Sequence, residues 1–468
     1  MRKNPATGTA TFRLTTGSDG GKQRAHGSRR CNREEVDRLR SLPSAPPNRR
    51  RRWIRALIWT GAVLAVITGA GLAAKAYYGN LANTFSSSRV TRINRQLHTY
   101  QFRHRITILL MGSSLETSAS HHDITAKNAR NRTDTMMLIS IDPTTHQVGV
   151  LSIPRDSRVD VPQVGLTKIA EASFFGGLPE AVQVVERTFH IPVDYYAYLS
   201  MFQFPRFIND MGGLTLCLAH SEVYQPSGGK LGINLPAGCH HLNGWQVLAY
   251  TRFRQTAEGD ISRIQQQQHV LRVMAHQLLQ PSEIPQIPAL VRDFASLVTT
   301  NLNLNQMLSL ALFARHVNLS AVRFGTIPGH ASTHYDPATH APGSFWTYDP
   351  HLAALLIQNV LLGAPLTAAQ RASLKIAVLS GTTSLAPAQA LAHQLQAAGY
   401  TVTDVGWATN HQLTVSTLTN TTGDRWLDTV FTRLLGPTTV TFVPYHTTPW
   451  DLEITVGRDY HPPTAPGA

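Results

Sequence analysis

Short apolar runs bounded by turn residues dominate the chain from residue 100 onward. Residues 106–112, 136–142 and 148–154 are mostly apolar, which is the pattern of buried strands. The segment PTTHQ between the second and third runs favours a hairpin-like connection. Residues 178–189 instead repeat their apolar positions every three or four residues, as an amphipathic helix does. Because strands and helices mix throughout, the pattern predicts an α/β fold with a central mixed sheet.

The same pattern separates two domains. The larger one, at 100–365, continues with a strand and three helices, at 195–201, 202–211, 243–253 and 262–279. The smaller one, at 373–460, opens with a compact β-α-β unit and adds a second helix and two strands, so it is also α/β. Residues 461–468 are rich in proline and are expected to be a disordered tail.

A different pattern stands near the amino terminus. Residues 56–74 contain no charged side chain, and nineteen helical residues span roughly the 30 Å of a bilayer core. Five arginines lie within the seven residues before this run, and by the positive-inside rule they place residues 1–55 in the cytoplasm and the later domains outside. Residues 79–100 then form a stalk. A cleaved signal peptide fits less well because the polar lead is too long.

The net charge of +14 belongs mainly to the amino-terminal segment. Residues 1–55 contain fifteen Lys or Arg and four acidic residues, which leaves the remainder of the chain nearly neutral. The segment has no apolar period, so we expect it to be disordered. A charge run next to a membrane helix attracts anionic lipid, and we therefore predict no nucleic-acid partner.

Cysteine positions bear on the compartment. Cys31 lies on the predicted cytoplasmic side, whereas Cys217 and Cys239 lie outside, where disulfides persist. A bridge between Cys217 and Cys239 is the favoured interpretation, and two buried free thiols are the alternative.

Arginine and aspartate residues recur near the ends of the predicted strands and helices. They form four groups: Arg132 with Asp134, Arg155 with Asp156, Arg252 with Arg254, and Asp260 with Arg263 and Gln267. The last three residues share one helical face. Clustered arginines repel one another unless an anion binds between them. A guanidinium group can donate two parallel hydrogen bonds to phosphate oxygens, and a neighbouring carboxylate can hold Mg²⁺. These groups predict a site that binds a pyrophosphate.

The order of the motifs RTDTMML, LSIPRDSRV, DMGGL, LNGWQVLAYTRFR and GDISRIQQQQ resembles the LytR-CpsA-Psr (LCP) family, across residues 104–280. Residues 374–460 resemble the LytR C-terminal domain. The resemblance implies an α-β-α sandwich-like catalytic domain. It also implies a Mg²⁺-assisted phosphotransferase, which moves a glycopolymer from a polyprenyl-pyrophosphate carrier onto peptidoglycan at the outer face of the cell membrane.

The resemblance also implies roles for individual residues. Asp134 would bind Mg²⁺ or assist deprotonation of the acceptor, with Arg155 as its catalytic partner. The residues that would bind the pyrophosphate are Arg132, Arg155, Arg252, Arg254, Arg263 and Gln267, and Asp260 would shape their pocket.

Two positions, Ser114 and Ala170, depart from the family pattern. Ser114 stands where the family has an acidic residue, and either Asp123 replaces that residue or Asp123 lies in a solvated loop. Ala170 replaces a residue that is commonly polar. His240 and His241 lack a third ligand at metal-binding spacing, so we interpret them as turn residues.

Two other functions use the same residues. A hydrolase would have the same arginine site with water as the nucleophile, and the sequence does not separate it from a transferase. A non-catalytic cell-envelope regulator is the third hypothesis, although no DNA-binding helix pair is evident.

Overall fold

The computed structural model describes residues 101–113, 132–224, 232–252, 260–283, 286–445 and 448–461. All of them belong to one compact unit, Ile93–Ala468. Within these ranges no helix is both long and apolar enough to cross a bilayer. The predicted cytoplasmic tail, transmembrane helix and stalk lie outside the described residues, as do nearly all of the carboxyl-terminal tail and Ser114, Asp123 and Arg254.

The strands of the larger domain fall at the predicted apolar runs and at several further places. They are β1 (Ile106–Ser113), β2 (Thr133–Ile141), β3 (Val148–Ser152), β4 (Arg158–Val161), β5 (Gly165–Lys168), β6 (Tyr195–Leu199), β7 (Leu214–Leu218), β8 (Glu222–Tyr224), β9 (Ile233–Leu235), β10 (Gly238–Leu242), β11 (Thr299–Thr300), β12 (Arg323–Thr326), β13 (Gly329–Asp336) and β14 (Ala341–Tyr348). Its helices are α1 (Glu171–Phe189), α2 (Gln203–Asp210), α3 (Gly244–Arg252), α4 (Asp260–Leu278), α5 (Ile287–Leu297), α6 (Leu304–Phe313) and α7 (Pro350–Leu356).

A six-stranded mixed sheet organises the larger domain, in the order β11-β6-β1-β2-β3-β12. The β1–β2 and β2–β3 pairs are antiparallel, and the β1–β6 and β3–β12 pairs are parallel. The predicted mixed α/β fold with a central mixed sheet is therefore confirmed.

One face of this sheet packs on α1 to form the main core. Strand side chains alternate between the two faces, and the core side carries Leu109, Met111, Met136, Leu138 and Leu151, all at most 1% exposed. Helix α1 bends at Gly177, whose φ of 74° is left-handed, so its second part begins close to the predicted start at residue 178.

Cys217 and Cys239 face one another on paired strands. Strands β7 and β10 are antiparallel with Cys217 opposite Cys239, and the two residues form a disulfide. The interpretation of His240 and His241 as turn residues is wrong, because both continue β10 opposite Leu216 and Thr215. Apolar alternation is weak in GCHHL, so this strand is specified by its partner rather than by its own pattern.

The elements of the smaller domain are α8 (Ala368–Ser373), β15 (Lys375–Ser380), α9 (Ala386–Ala397), β16 (Thr401–Trp407), β17 (Ser416–Asn420), α10 (Arg425–Leu435), β18 (Thr438–Phe442) and β19 (Leu452–Val456). Its five strands form one sheet in the order β16-β15-β19-β17-β18. Strands β15 and β16 are parallel on either side of α9 in the chain, as in the predicted β-α-β unit.

Buried polar groups join the two domains at the edge strand β12. The backbone N–H of Thr326 donates to the carbonyl of Gly423, whose φ is +80° and whose missing Cβ would stand 2.1 Å from the Thr326 carbonyl oxygen. Asp424 is 3% exposed, caps α10 at the N–H of Trp426, and accepts a hydrogen bond from Asn359. The joint therefore depends on a carboxylate that is almost wholly removed from water.

The pH dependence of stability should report on this joint. Burial raises the pKa of Asp424 from 3.8 to about 6, despite hydrogen bonds from Asn359 and Trp426 that lower it. Between these two pH values the Asp424 carboxyl binds more protons in the folded chain than in the unfolded chain. Its contribution to the free energy of unfolding is therefore fully present below about pH 4 and is lost as the pH rises through 6. A shift of this size corresponds to roughly 2–3 kcal/mol.

We expect Asp424→Asn to reduce this loss of stability between pH 4.5 and pH 7, as measured by the thermal unfolding of the full chain in detergent. Asp428 is half-buried, and desolvation raises its pKa to about 6 as well, so part of the pH dependence will remain. The matched control Asp404→Asn, on the exposed strand β16, should retain the wild-type pH dependence. An unchanged pH dependence in Asp424→Asn would contradict the assignment.

Candidate active site

The second face of the six-stranded sheet lines a cavity of about 1220 Å³. Strand residues such as Leu110, Ile139 and Val150 form its floor, and side chains of α4, α5 and α6 form the opposite wall. Ligand pockets usually measure roughly 300–1,000 Å³. The cavity is thus large enough for a long apolar ligand, and it explains why the central strands are apolar on both faces.

A β-bulge brings Asp134 to the lining of this cavity. Gly112 pairs with Thr135 and Ser113 pairs with Thr133, so Asp134 is the extra residue on β2. Bulges turn side chains out of the regular alternation. The Asp134 carboxylate lines the cavity beside Thr135, and its side chain is 16% exposed.

Arg155 meets Asp134 from the turn that follows β3. Its Nη1 atom lies 2.5 Å from Oδ1 of Asp134. The turn is fixed because the Ser157 backbone N–H and hydroxyl both donate to the Pro154 carbonyl, while the Arg155 carbonyl accepts from the backbone of Ala170. Arg155 also lines the cavity, so the two residues form a charged pair at its polar end.

Helix α4 contributes both a polar and an apolar part of the wall. Arg263 and Gln267 line the cavity one turn apart, and Val270, Met274 and Leu278 continue the same stripe. This spacing places all five side chains along one helical face. The helix therefore sets the direction of the cavity, from a charged end near Asp134 to an apolar end.

Gln268 of α4 holds the helix against the sheet. Its buried amide donates to Ser152 Oγ at 2.9 Å and to the Gly325 carbonyl at 3.0 Å. This contact fixes the rotation of α4, and hence the direction in which Arg263 points.

Arg252 and Arg132 occupy different positions around the polar end. Arg252, at the end of α3, lines the cavity and donates to the sulfur of Met201 at 3.4 Å. Arg132 is not among the lining residues; its Nε lies 2.5 Å from Oε1 of the buried Glu171, and its guanidinium stacks over Phe174. Asp260 begins α4, but its side chain lies outside the described residues.

Several polar residues of the cavity were not identified from the sequence. One is Arg272 of α4, and the uncharged ones are Ser113, Thr135, Ser200 and Thr251. Thr251 lies in the YTRFR segment directly before Arg252, so it could have been predicted from its position next to that arginine. The other three uncharged residues face the cavity through strand register and loop geometry, which no local pattern displays. Glu171, the ion-pair partner of Arg132, was also not identified, because no local pattern pairs two residues that lie 39 positions apart.

The donor atoms at this end fit a magnesium ion that is shared with phosphate. The described residues contain no group of three or more His, Cys, Asp or Glu able to hold a metal by themselves. Mg²⁺ in phosphoryl-transfer sites commonly uses one or two carboxylates and completes its coordination with substrate oxygens and water. Asp134 supplies such a carboxylate in a cavity that is also lined by the guanidinium groups of Arg155, Arg252 and Arg263.

Neighbouring positions on β2 offer a test of the cavity. Ile139 lines it, whereas Leu138 is 0% exposed in the main core. We expect Ile139→Trp to lower the affinity for a fluorescent long-chain fatty acid about tenfold, with a stability change below about 1 kcal/mol, because the new ring enters existing space. Leu138→Trp should cost about 1–3 kcal/mol or more by overpacking. Equal destabilisation by the two changes would contradict the assignment of the faces.

Comparison with known proteins adds a family relationship. The model described as LytR_cpsA_psr family matches residues 73–346, which is more than half of the chain. A second model, described as LytR cell envelope-related transcriptional attenuator, matches residues 373–460.

Individual relatives show the same similarity at lower coverage. The chain is 27% identical over 278 residues to polyisoprenyl-teichoic acid--peptidoglycan teichoic acid transferase TagU of Oceanobacillus iheyensis, over 56% of this chain and 81% of TagU. It is 31% identical over 194 residues to TagV of Bacillus subtilis, covering 40% of this chain and 49% of TagV. The crystal structure of B. subtilis TagV aligns with 25% identity and a TM-score of 0.47, over 57% of this chain and all of that one.

Proposed function

Because this chain belongs to the LytR-CpsA-Psr family, we propose that it transfers a glycopolymer from a polyprenyl-pyrophosphate carrier to peptidoglycan, through a phosphodiester bond. TagU and TagV are named as teichoic acid–peptidoglycan transferases, which supports this reaction class. The observation that carries the proposal is the Asp134–Arg155 pair at the polar end of a long apolar cavity.

The cavity matches the two chemical parts of such a donor. The prenyl chain would lie between the sheet and the apolar stripe of α4, and the pyrophosphate would lie beside Arg155, Arg252 and Arg263, with Gln267 as a hydrogen-bond donor. Guanidinium groups bind phosphate oxygens in pairs, which lysine does not. Arg132 would act from outside the cavity lining. The roles that the family resemblance implies for Arg254 and Asp260 stay predictions, because the Arg254 residue and the Asp260 side chain lie outside the described part of the chain.

In the proposed reaction a hydroxyl of the acceptor glycan attacks the phosphorus atom next to the donor glycan. A new P–O bond forms to the acceptor, the P–O bond to the second phosphate breaks, polyprenyl phosphate leaves, and the hydroxyl proton is lost. Asp134 is the carboxylate placed to take up that proton. Arg155 and Arg263 neutralise the charge that develops on the phosphate oxygens, which is the main requirement of phosphoryl transfer.

A magnesium ion would be held by Asp134 together with the donor's own phosphate oxygens. When bound, it supplies additional positive charge to those oxygens and lowers the energy of the charged transition state. Positioning of Asp134 by Arg155 would then serve the ion as well as the proton.

We also propose that residues 56–74 anchor the chain in the cell membrane, with residues 1–55 in the cytoplasm and the described domains outside. The uncharged run and the arginines before it support this arrangement. It would keep the site beside a donor that never leaves the bilayer. Protease added to intact cells should remove the domains and spare the amino-terminal segment. Cleavage of the amino-terminal segment instead would show that the orientation is the opposite one.

The reaction is tested by incubating the full chain in vesicles with Mg²⁺, a polyprenyl-pyrophosphate glycan and nascent peptidoglycan. Transfer predicts glycan covalently attached to peptidoglycan and an equal amount of polyprenyl phosphate. Free glycan phosphate without attachment would identify a hydrolase instead. Absence of both products, with the donor bound, would exclude a catalytic role and favour a regulator.

A further inference from the structure

Phe202 and Trp245 form an exposed aromatic pair on the surface of the larger domain. Phe202 is 40% exposed and Trp245 is 44% exposed, and their ring centroids lie 6.3 Å apart at an interplanar angle of 79°. Large rings that contact each other and still face solvent retain open surface for another group. The main core, the disulfide and the cavity leave this pair unexplained.

The pair lies next to the polar end of the cavity. Met201, the residue before Phe202, lines the cavity and accepts a hydrogen bond from Arg252. Trp245 precedes Arg252 by seven residues on α3, so the two side chains share a helical face about 10.5 Å apart along the axis. A molecule whose phosphate binds Arg252 would reach the two rings with the part that extends out of the cavity.

The contact between α2 and α3 holds the pair in place. A Cβ at Gly244 would stand 1.9 Å from the carbonyl oxygen of Pro205, and the Gly244 N–H donates to Oδ1 of Asn209 at 2.7 Å. The helices thus approach as closely as a glycine allows, and the first turn of α3 presents Trp245 beside Phe202.

The surroundings of the rings are polar. Arg206, Asn243 and Gln246 are close to the rings in the chain, and all three are exposed. Among the described residues of α2 and α3, Trp245 is the one large hydrophobic side chain that is exposed. A membrane-inserting surface needs a broad apolar face, whereas a sugar ring offers C–H groups to an aromatic face and hydroxyls to neighbouring amides. The composition of this surface therefore favours a carbohydrate over a lipid bilayer.

We propose that the Phe202–Trp245 pair binds a sugar ring of the donor glycan, close to its pyrophosphate. This inference rests on the proposed function, because it assumes that the pyrophosphate binds beside Arg252. It makes the two rings binding residues that favour donors whose first sugars present an apolar face.

The test measures binding of two lipids to the full chain in vesicles: a polyprenyl pyrophosphate that carries an N-acetylhexosamine disaccharide, and the same polyprenyl pyrophosphate without sugar. Trp245→Ala should weaken binding of the sugar-bearing lipid about threefold to tenfold and leave the bare lipid unchanged. Trp245→Tyr should restore most of the affinity. Trp407→Ala, an exposed tryptophan of β16 in the smaller domain, is the matched control and should change neither lipid.

Each outcome decides the proposal. Selective loss for the sugar-bearing lipid supports it, whereas an equal loss for both lipids, as a bilayer contact would give, or no loss for either overturns it. Failure of the proposed function is a separate result, because wild-type protein would then yield no glycan on peptidoglycan whatever its affinity for the two lipids.

Discussion

Asp134→Asn should lower the rate of glycopolymer transfer by at least about 100-fold, because positioned general bases contribute roughly 10²–10⁴ to rates. The amide keeps the size of the carboxylate and an oxygen that can accept from Arg155. It lacks the negative charge needed to take up the acceptor proton or to attract a magnesium ion. The rate is measured at saturating donor, from the release of polyprenyl phosphate.

Asp142→Asn is the matched control for this substitution. Asp142 directly follows β2, roughly 25 Å from Asp134 along the strand, and Oδ2 of Asp142 lies 2.8 Å from Nη2 of Arg105. Loss of an ion pair in itself should therefore leave transfer within about twofold of wild type. A fall of similar size in both variants would show that the loss of activity comes from a less stable fold and not from the chemistry of Asp134. If Asp134→Asn kept most of its activity, the carboxylate would have no part in the reaction.

Arg155→Ala should reduce transfer by roughly 10²–10³-fold, the usual effect of removing one donor that stabilises transition-state charge. The substitution removes the phosphate contact and also the 2.5 Å partner of Asp134. Arg155→Lys should recover only part of the rate, since an ammonium group lacks the planar pair of donors. Because the two residues act together, the double variant Asp134→Asn/Arg155→Ala should be about as slow as the slower single variant.

Arg158→Ala controls for the loss of an arginine in the same segment. Its guanidinium stacks over Phe345, and it is not among the residues that line the cavity. We expect transfer by this variant to stay within a few-fold of wild type in protein that circular dichroism shows to be folded. Additive losses in the double variant, or equal losses in Arg158→Ala and Arg155→Ala, would contradict a joint role for Asp134 and Arg155.

The central strands were predictable because their apolar runs are long and are bounded by turns. The hairpin β13–β14 was not, since GHASTHYD and APGSFWTY alternate little and only some of their residues are buried. Helices α9 and α10 of the smaller domain were predicted from their sequence patterns, and Asp424 caps the amino terminus of α10. Local pattern thus located the elements that bury a face by themselves, and missed those that depend on a partner.

The candidate site shows the same division. The motifs singled out Asp134 and Arg155, but their contact depends on the bulge opposite Gly112, which a linear pattern does not display. The helical spacing of Arg263 and Gln267 correctly placed them on one face of α4. The cavity itself could not be predicted from the sequence. A strand that faces a core on one side and an apolar cavity on the other has the same apolar pattern as a strand that is buried in a core on both sides.

That strand pattern links the supply of ligand to the lifetime of the protein. Any apolar chain that fills the cavity binds the folded state and not the unfolded one, so it stabilises the fold in proportion to the logarithm of its concentration. A cell short of such a ligand would hold more of the opened chain, which proteases remove. The amount of this protein would then follow the amount of ligand available to it, without any change in gene expression.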